Sequence, residues 1–388
     1  MNDNLSIKEI IEETKAYNCM QCAKCTSICP ISRVDERFSP RLIAEKVLLG
    51  FDEVFKEKEL WTCLTCAACN EKCPSGVDYT RFIRELRARA QKMGEMGTCA
   101  HGGAIQSIMR TMSNPNLSQN RLQWLSKDMK IASKGKILYF VGCLPYFDII
   151  FEDIGVNPLK IARSAIRIFN HLGIEPVLMK DERCCGHDLL WSGDVENFEK
   201  LAKINIELIK ETGAELVITT CPECYRTLKL DYSEYLGEQD FEIIHLSEFL
   251  SDLIEKGELE FDKAYQLDSN VTYQDPCRLG RHLGVYDQPR KIIDKIPGMR
   301  FSELESNREG SVCCGSSCWI NCGQSSKEIQ IEKLREAKST ADLLITACPK
   351  CQIHLKCAMV DKTGKGPKID LEIEDLTVLT ARALGYLI

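Results

Sequence analysis

Cys19-Met20-Gln21-Cys22-Ala23-Lys24-Cys25-Thr26-Ser27-Ile28-Cys29-Pro30 returns 44 residues later as Cys63-Leu64-Thr65-Cys66-Ala67-Ala68-Cys69-Asn70-Glu71-Lys72-Cys73-Pro74. Three thiols at such short spacing, followed by a fourth against a proline, suit a metal centre better than a disulfide framework. The chain has 388 residues and 22 cysteines, and its acidic opening has neither a basic nor an apolar stretch of the export type. A reducing, cytoplasmic setting follows as the expectation, in which so many thiols hold metal. Fifty basic residues against 57 acidic ones give a net charge of -7. No basic field for nucleic acid exists, and no apolar run approaches the eighteen or so residues of a membrane span.

The doubled run resembles the ligand pattern of two-cluster ferredoxins, with zinc or unliganded thiols as the alternatives. In that pattern the proline-linked cysteine crosses to the other cube. The resemblance therefore pairs Cys19, Cys22 and Cys25 with Cys73, and Cys63, Cys66 and Cys69 with Cys29. Between the copies, Ser39 to Phe55 has helical spacing opened by Ser39 as N-cap and Pro40 in the first turn. A helical two-cluster domain is expected over residues 1-96. Residues 97-135, rich in Gly, Asn, Pro and Ser, read as a linker.

Four β-branched runs follow, Ile137 to Gly142, Glu215 to Thr220, Val271 to Pro276 and Asp342 to Ala347, and they lead into Cys143, Cys221, Cys277 and Cys348. Helical patterns over Pro158 to Leu172, Glu196 to Glu211 and Lys327 to Lys338 alternate with them, which predicts α/β units with mostly parallel sheets. Functional groups in such sheets collect at the carboxyl ends of strands. The closing stretch Leu371 to Ile388 reads as a helix packed on the sheet. The arrangement repeats after about 130 residues. One copy, residues 136-262, holds Cys143, Cys184-Cys185-Gly186 and Cys221-Pro222-Glu223-Cys224; the other, residues 263-388, holds Cys277, Cys313-Cys314-Gly315 and Cys348-Pro349-Lys350-Cys351. Five thiols exceed the four of tetrahedral zinc, and the two Cys-Pro-x-Cys pieces place thiolates at helix starts. Cys318 and Cys322 lie at i+4 and i+8 from Cys314, so all three are expected on one helical face.

The set C, CCG, C-x-x-C, duplicated behind a two-cluster unit, resembles the cysteine-rich (CCG) iron-sulfur proteins. In this order it is similar to the D subunit of heterodisulfide reductase, with looser likeness to the heterodisulfide-reductase-like subunit of ATP-independent benzoyl-coenzyme A reductase complexes. The resemblance implies two 4Fe-4S cubanes and two noncubane 4Fe-4S clusters. One noncubane cluster is held by Cys143, Cys184, Cys185, Cys221 and Cys224 and the other by Cys277, Cys313, Cys314, Cys348 and Cys351, with zinc as the alternative in one set. No glycine fingerprint of a nucleotide cofactor is present, so a flavin- or cytochrome-containing partner in a hetero-oligomeric complex is expected to supply electrons. The activity expected is reduction of a small disulfide, or oxidation of thiols, with a non-catalytic electron relay as the rival. Peripheral attachment to a membrane would then come through the partner. His187 is the candidate proton donor, and Arg278, Arg281 and His282 are candidates for holding an anionic substrate.

Overall fold

The computed structural model describes residues 5-360 and 369-387; residues 1-4, 361-368 and 388, including both ends of the expected domains, lie outside it. Contacts divide the chain into two units. One comprises the residues through Pro115 together with Gly186-Leu201 and Val312-Gln330, and the other Asn116-Cys185, Ala202-Ser311 and the chain from Ile331 onward. The expected linker is thus shared between them, and its first part carries the helix Ala104-Met112.

The first unit is helical. Its two cysteine runs fold alike: Gln21 and Ala23, and again Thr65 and Ala67 at the same two positions, take positive φ of 57°, 61°, 47° and 61°. Such backbone is costly for residues with a Cβ and persists only where the surroundings impose it. It winds each C-x-x-C-x-x-C run inward before the short helices Lys24-Ile28 and Ala68-Lys72, which pack on each other. Ser39 caps the helix Pro40-Leu48 by accepting from Leu42 N, as its sequence predicts.

The helix Tyr79-Lys92 buries Arg84 and Arg87 with Phe82, Ile83 and Leu86. Arg87 donates to the carbonyls of Leu60, Trp61 and Cys63 and to that of Trp191, which follows the first CCG by five residues. Gly193 completes this joint. With φ at +96°, its absent Cβ would stand 2.5 Å from the Arg87 carbonyl oxygen and 2.9 Å from Ala88 N.

The second unit contains two parallel sheets. β1 (Ile137-Phe140), β2 (Leu216-Thr219) and β3 (Glu242-His245) lie in that order. The other sheet comprises β4 (Ser269-Gln274), β5 (Met299-Phe301), β6 (Leu343-Thr346) and β7 (Glu372-Asp375), in the order β5-β4-β6-β7. Val177 makes a parallel bridge to Leu138 and so occupies in the first copy the place of β5 in the second. The duplication seen in the cysteines therefore extends to the sheets. The copies also pack reciprocally: helix Leu159-His171 of the first lies on helix Leu376-Ala383 of the second, while Leu246-Glu255 of the first lies on Asp287-Lys295 of the second. The stretch from Leu371, expected as helix throughout, begins with β7, because Leu371 and Ile373 fill a core cluster with Leu344 and Leu355.

Replacing Gly193 by Ala should cost about 3 kcal/mol, through a left-handed backbone and a clash with backbone rather than with a movable side chain. The fall in denaturant midpoint of the holoprotein under anaerobic conditions measures it.

Candidate iron-sulfur sites

The second ferredoxin-type run is gathered around a small cavity of about 20 Å³, lined by Cys29, Cys63, Cys66 and Cys69 with Pro30, Phe38 and Tyr79. Burial pushes the Cys29 thiol up to about 12, helped by the charges of Cys66 and Cys63. Cys69 is raised well above its ordinary value by burial and by Cys63, Cys66, Cys29 and Cys25. Neighbouring thiols with pKa raised in this way stay protonated in the apoprotein, and a bound cation is what would draw the four together as thiolates. The donor set therefore fits an iron-sulfur cluster. In the first run Cys19 and Cys25 are half-buried, as Cys29 and Cys69 are, and Cys22 is exposed.

In the second unit the five thiols of the first CCG set converge. Cys185 exchanges hydrogen bonds with Cys184 and Cys224, and these lower its pKa against burial and the charges of Cys143 and Cys221. Cys224 is raised, chiefly through its bonds with Cys185 and Cys221. The strand-end position is what brings them together: Cys143 follows β1, and Cys221 follows β2 and opens the short helix Pro222-Arg226 with proline in its first turn. Gly142, with φ at +67°, leaves 3.0 Å between its missing Cβ and Cys224 Sγ, so a side chain there would press on the thiol. Asn205 and Tyr232 hold the cysteine backbone, donating to the carbonyls of Cys184 at 3.0 Å and Cys185 at 3.1 Å.

The group that fixes this end of β1 lies outside every cysteine motif. Buried Glu182, two residues before the CCG, accepts from Val141 N at 3.0 Å and Gly142 N at 2.8 Å and pairs with Arg121 at 3.2 Å. Burial lifts its carboxyl to about 7, against the pull of the guanidinium and the two N-H groups. A glutamate just ahead of a CCG was the available signal.

In the other copy, Cys277 follows β4, while Cys348 and Cys351 open the helix Pro349-Met359 after β6. Cys313 and Cys314 fall in the first unit. The segment behind them is not the helix expected to align Cys314, Cys318 and Cys322. Cys318, Trp319 and Asn321 take positive φ of 55°, 54° and 49°, and Cys318 is fully buried. The local spacing was correct for a helix, but the polar Ser316-Ser317 and contacts to Thr98, Ala100 and Gln106 hold the chain in a tight irregular loop.

The remaining candidates separate. Arg278 Nη1 meets His282 Nε2 at 2.6 Å, and Arg226 of the first copy donates to His282 Nδ1 at 3.2 Å. Arg281 instead donates to the carbonyls of Ser311 and Glu309, fixing the approach to the second CCG. His187 is buried, stacked on Trp191 and 3.1 Å from Asp188. The middle residues of the two Cys-Pro-x-Cys turns also meet: Lys350 Nζ lies 2.7 Å from Glu223, and both are largely buried.

Residues 137-229 and 271-356 match the cysteine-rich domain, and residues 15-77 match the 4Fe-4S dicluster domain. The chain is 37% identical over 322 residues to the D subunit of dihydromethanophenazine:CoB-CoM heterodisulfide reductase from Methanosarcina acetivorans, covering 80% of this chain and 74% of that one. This chain belongs to the family of heterodisulfide reductase D subunits. The corresponding protein of Methanosarcina mazei is 33% identical with the same coverage. The B subunit of fumarate reductase (CoM/CoB) from Methanothermobacter marburgensis is 30% identical over 96% of this chain and 73% of its own length. A hypothetical protein of Helicobacter pylori matches in fold, with a TM-score of 0.56 at 12% identity, covering 98% of this chain and 72% of that one. Membership makes this an iron-sulfur protein of an oxidoreductase family, with a ferredoxin-like domain ahead of two CCG repeats. Among the described residues no helix is long and apolar enough to cross a membrane.

Lys350→Ala should destabilise the holoprotein by about 3 kcal/mol, because it removes the ammonium paired with the largely buried Glu223 carboxylate. The double exchange Glu223→Lys with Lys350→Glu should recover most of that loss in anaerobic chemical denaturation.

Proposed function

We propose that this chain is the disulfide-reducing iron-sulfur component of a heterodisulfide-reductase-type complex. In this reading Cys19, Cys22, Cys25 and Cys73 hold one 4Fe-4S cubane and Cys63, Cys66, Cys69 and Cys29 the other. Cys143, Cys184, Cys185, Cys221 and Cys224 hold one noncubane cluster, and Cys277, Cys313, Cys314, Cys348 and Cys351 the second. Once bound, these groups supply one-electron redox chemistry. The net reaction breaks the S-S bond of a small disulfide with two electrons from a flavin- or cytochrome-containing partner and two protons from water, giving two thiols.

The observation that carries the reading is the Glu223-Lys350 ion pair, which ties the two Cys-Pro-x-Cys turns to each other at 2.7 Å. A chain that only relays electrons has no need to set two such turns together. The chain's own residues then act as a frame. Glu182 and Arg121 fix the end of β1, Arg281 fixes the backbone before the second CCG, and the burial of Cys184, Cys185, Cys221 and Cys224 keeps water from the thiols. Arg278, close behind Cys277 and held on the His282 ring, supplies positive charge for an anionic group on the disulfide.

Anaerobically purified protein should contain about sixteen irons with matching sulfide. About twelve would mean that one CCG set holds no iron-sulfur cluster. Cys29→Ser should remove the paramagnetic signal of the cubane bound by Cys63, Cys66 and Cys69; loss of the other signal would reverse the pairing.

Cys184→Ala should abolish turnover of a small disulfide while both cubanes remain reducible by dithionite. A wild-type protein that turns over no coenzyme M, coenzyme B, coenzyme A or glutathione disulfide, and whose resonances none of the corresponding thiols perturbs, would leave the relay as the function.

A further inference from the structure

Within the first unit, one ligand atom from each of His187, Asp188 and Cys318 lies within 4.8 Å of the other two, and all three residues are buried. Two come from the turn after the first CCG and the third from the loop after the second, and none belongs to the ferredoxin-type runs or the five-cysteine sets. We propose that His187, Asp188 and Cys318 form a mononuclear site for a zinc-class divalent cation, separate from the iron-sulfur ligands.

Four observations carry this. The donor set is an imidazole, a carboxylate and a thiol, the mixture that a borderline-soft cation such as Zn²⁺ takes with three protein ligands and one open position. Its spacing is close to ready: bonds of about 2.0 to 2.3 Å separate tetrahedral ligands by about 3.5 Å, so only a small closure is required. The surroundings hold each ligand in place. The His187 ring is stacked on Trp191 with 21° between planes, and Arg84 lies over the same indole at 5.6 Å. Gln106, itself buried, donates from Nε2 to the carbonyls of Cys318 at 3.1 Å and Trp319 at 3.2 Å, and Ala100 N donates to the Trp319 carbonyl at 2.6 Å. Lastly, Cys318 and Trp319 are both held at positive φ, a backbone cost that the bonding around the loop sustains and that turns the thiol inward. Ser317 adds a hydroxyl 3.2 Å from the Cys318 sulfur and bonds in turn to Thr65.

This assignment gives His187 a ligand's role in place of the proton delivery expected from its sequence position. It also explains why the second CCG is followed by a cysteine.

The test is metal content and coordination in the anaerobically purified holoprotein after chelator treatment that strips loosely held ions. The expected result is about one zinc per chain, with X-ray absorption at the zinc edge showing a single sulfur among nitrogen and oxygen neighbours. Cys318→Ser, His187→Asn and Asp188→Asn should each reduce zinc at least tenfold while iron and sulfide per chain stay at the wild-type value, which also reports that the variants have folded. No zinc in protein grown with ample zinc overturns the proposal. So does zinc in an all-sulfur shell that Cys318→Ser leaves in place, since that cation would sit in a CCG set. Iron falling together with zinc in all three variants also overturns it, because the three residues would then belong to an iron-sulfur site. The disulfide-reducing function can fail without affecting any of these results.

Discussion

The guanidinium of Arg87 holds the first unit together. It is buried, and it gives its N-H groups to the carbonyls of Leu60, Trp61 and Cys63 on one side and of Trp191 on the other. A charged group taken out of water has to be met by several acceptors at once, and a planar fork of donors meets carbonyls from two segments in fixed directions. The start of the second ferredoxin-type run is therefore set by the same side chain that seats the turn after the first CCG. Gly193 allows the approach, since any Cβ there would collide with the backbone of the Arg87 helix.

A second constraint acts on the thiols. Cys63 and Cys66 are buried beside half-buried Cys29 and Cys69, and four of the five thiols of the first CCG set are buried as well. Thiols must lose their protons to hold metal, so cluster binding here is linked to proton release. The frame nevertheless stands on ordinary interactions: parallel ladders, a carboxylate under the end of β1, and helices of each copy lying on helices of the other.

Much of this was legible in the sequence. The four strands that end at cysteines are β-branched and apolar, and Ser39-Pro40 announces its helix. β3, β5 and β7 escaped because they are three or four residues long and carry Glu242, Arg300, Glu372 and Glu374 inside or at their ends, where burial rather than alternation decides the pairing. The left-handed turns at Gln21, Ala23, Thr65 and Ala67 were invisible, since no glycine marks them. His187 and Cys318 are 131 positions apart in the chain, and the helix that the local spacing suggested would have pointed Cys318 elsewhere. Only the fold brings them together.

The Glu223-Lys350 pair has a consequence for how the duplicated half came to be a single chain. The two residues occupy equivalent positions in their repeats, so an interface between two identical halves would set Glu against Glu or Lys against Lys, since a twofold axis brings a residue near it onto its own copy. Opposite charges at one position require two distinguishable halves. Joining both copies in one polypeptide keeps the two distinguishable halves together, one of each per chain. The covalent link thus delivers the Glu-bearing and the Lys-bearing turn in equal number, which a pair made from one kind of half would lack.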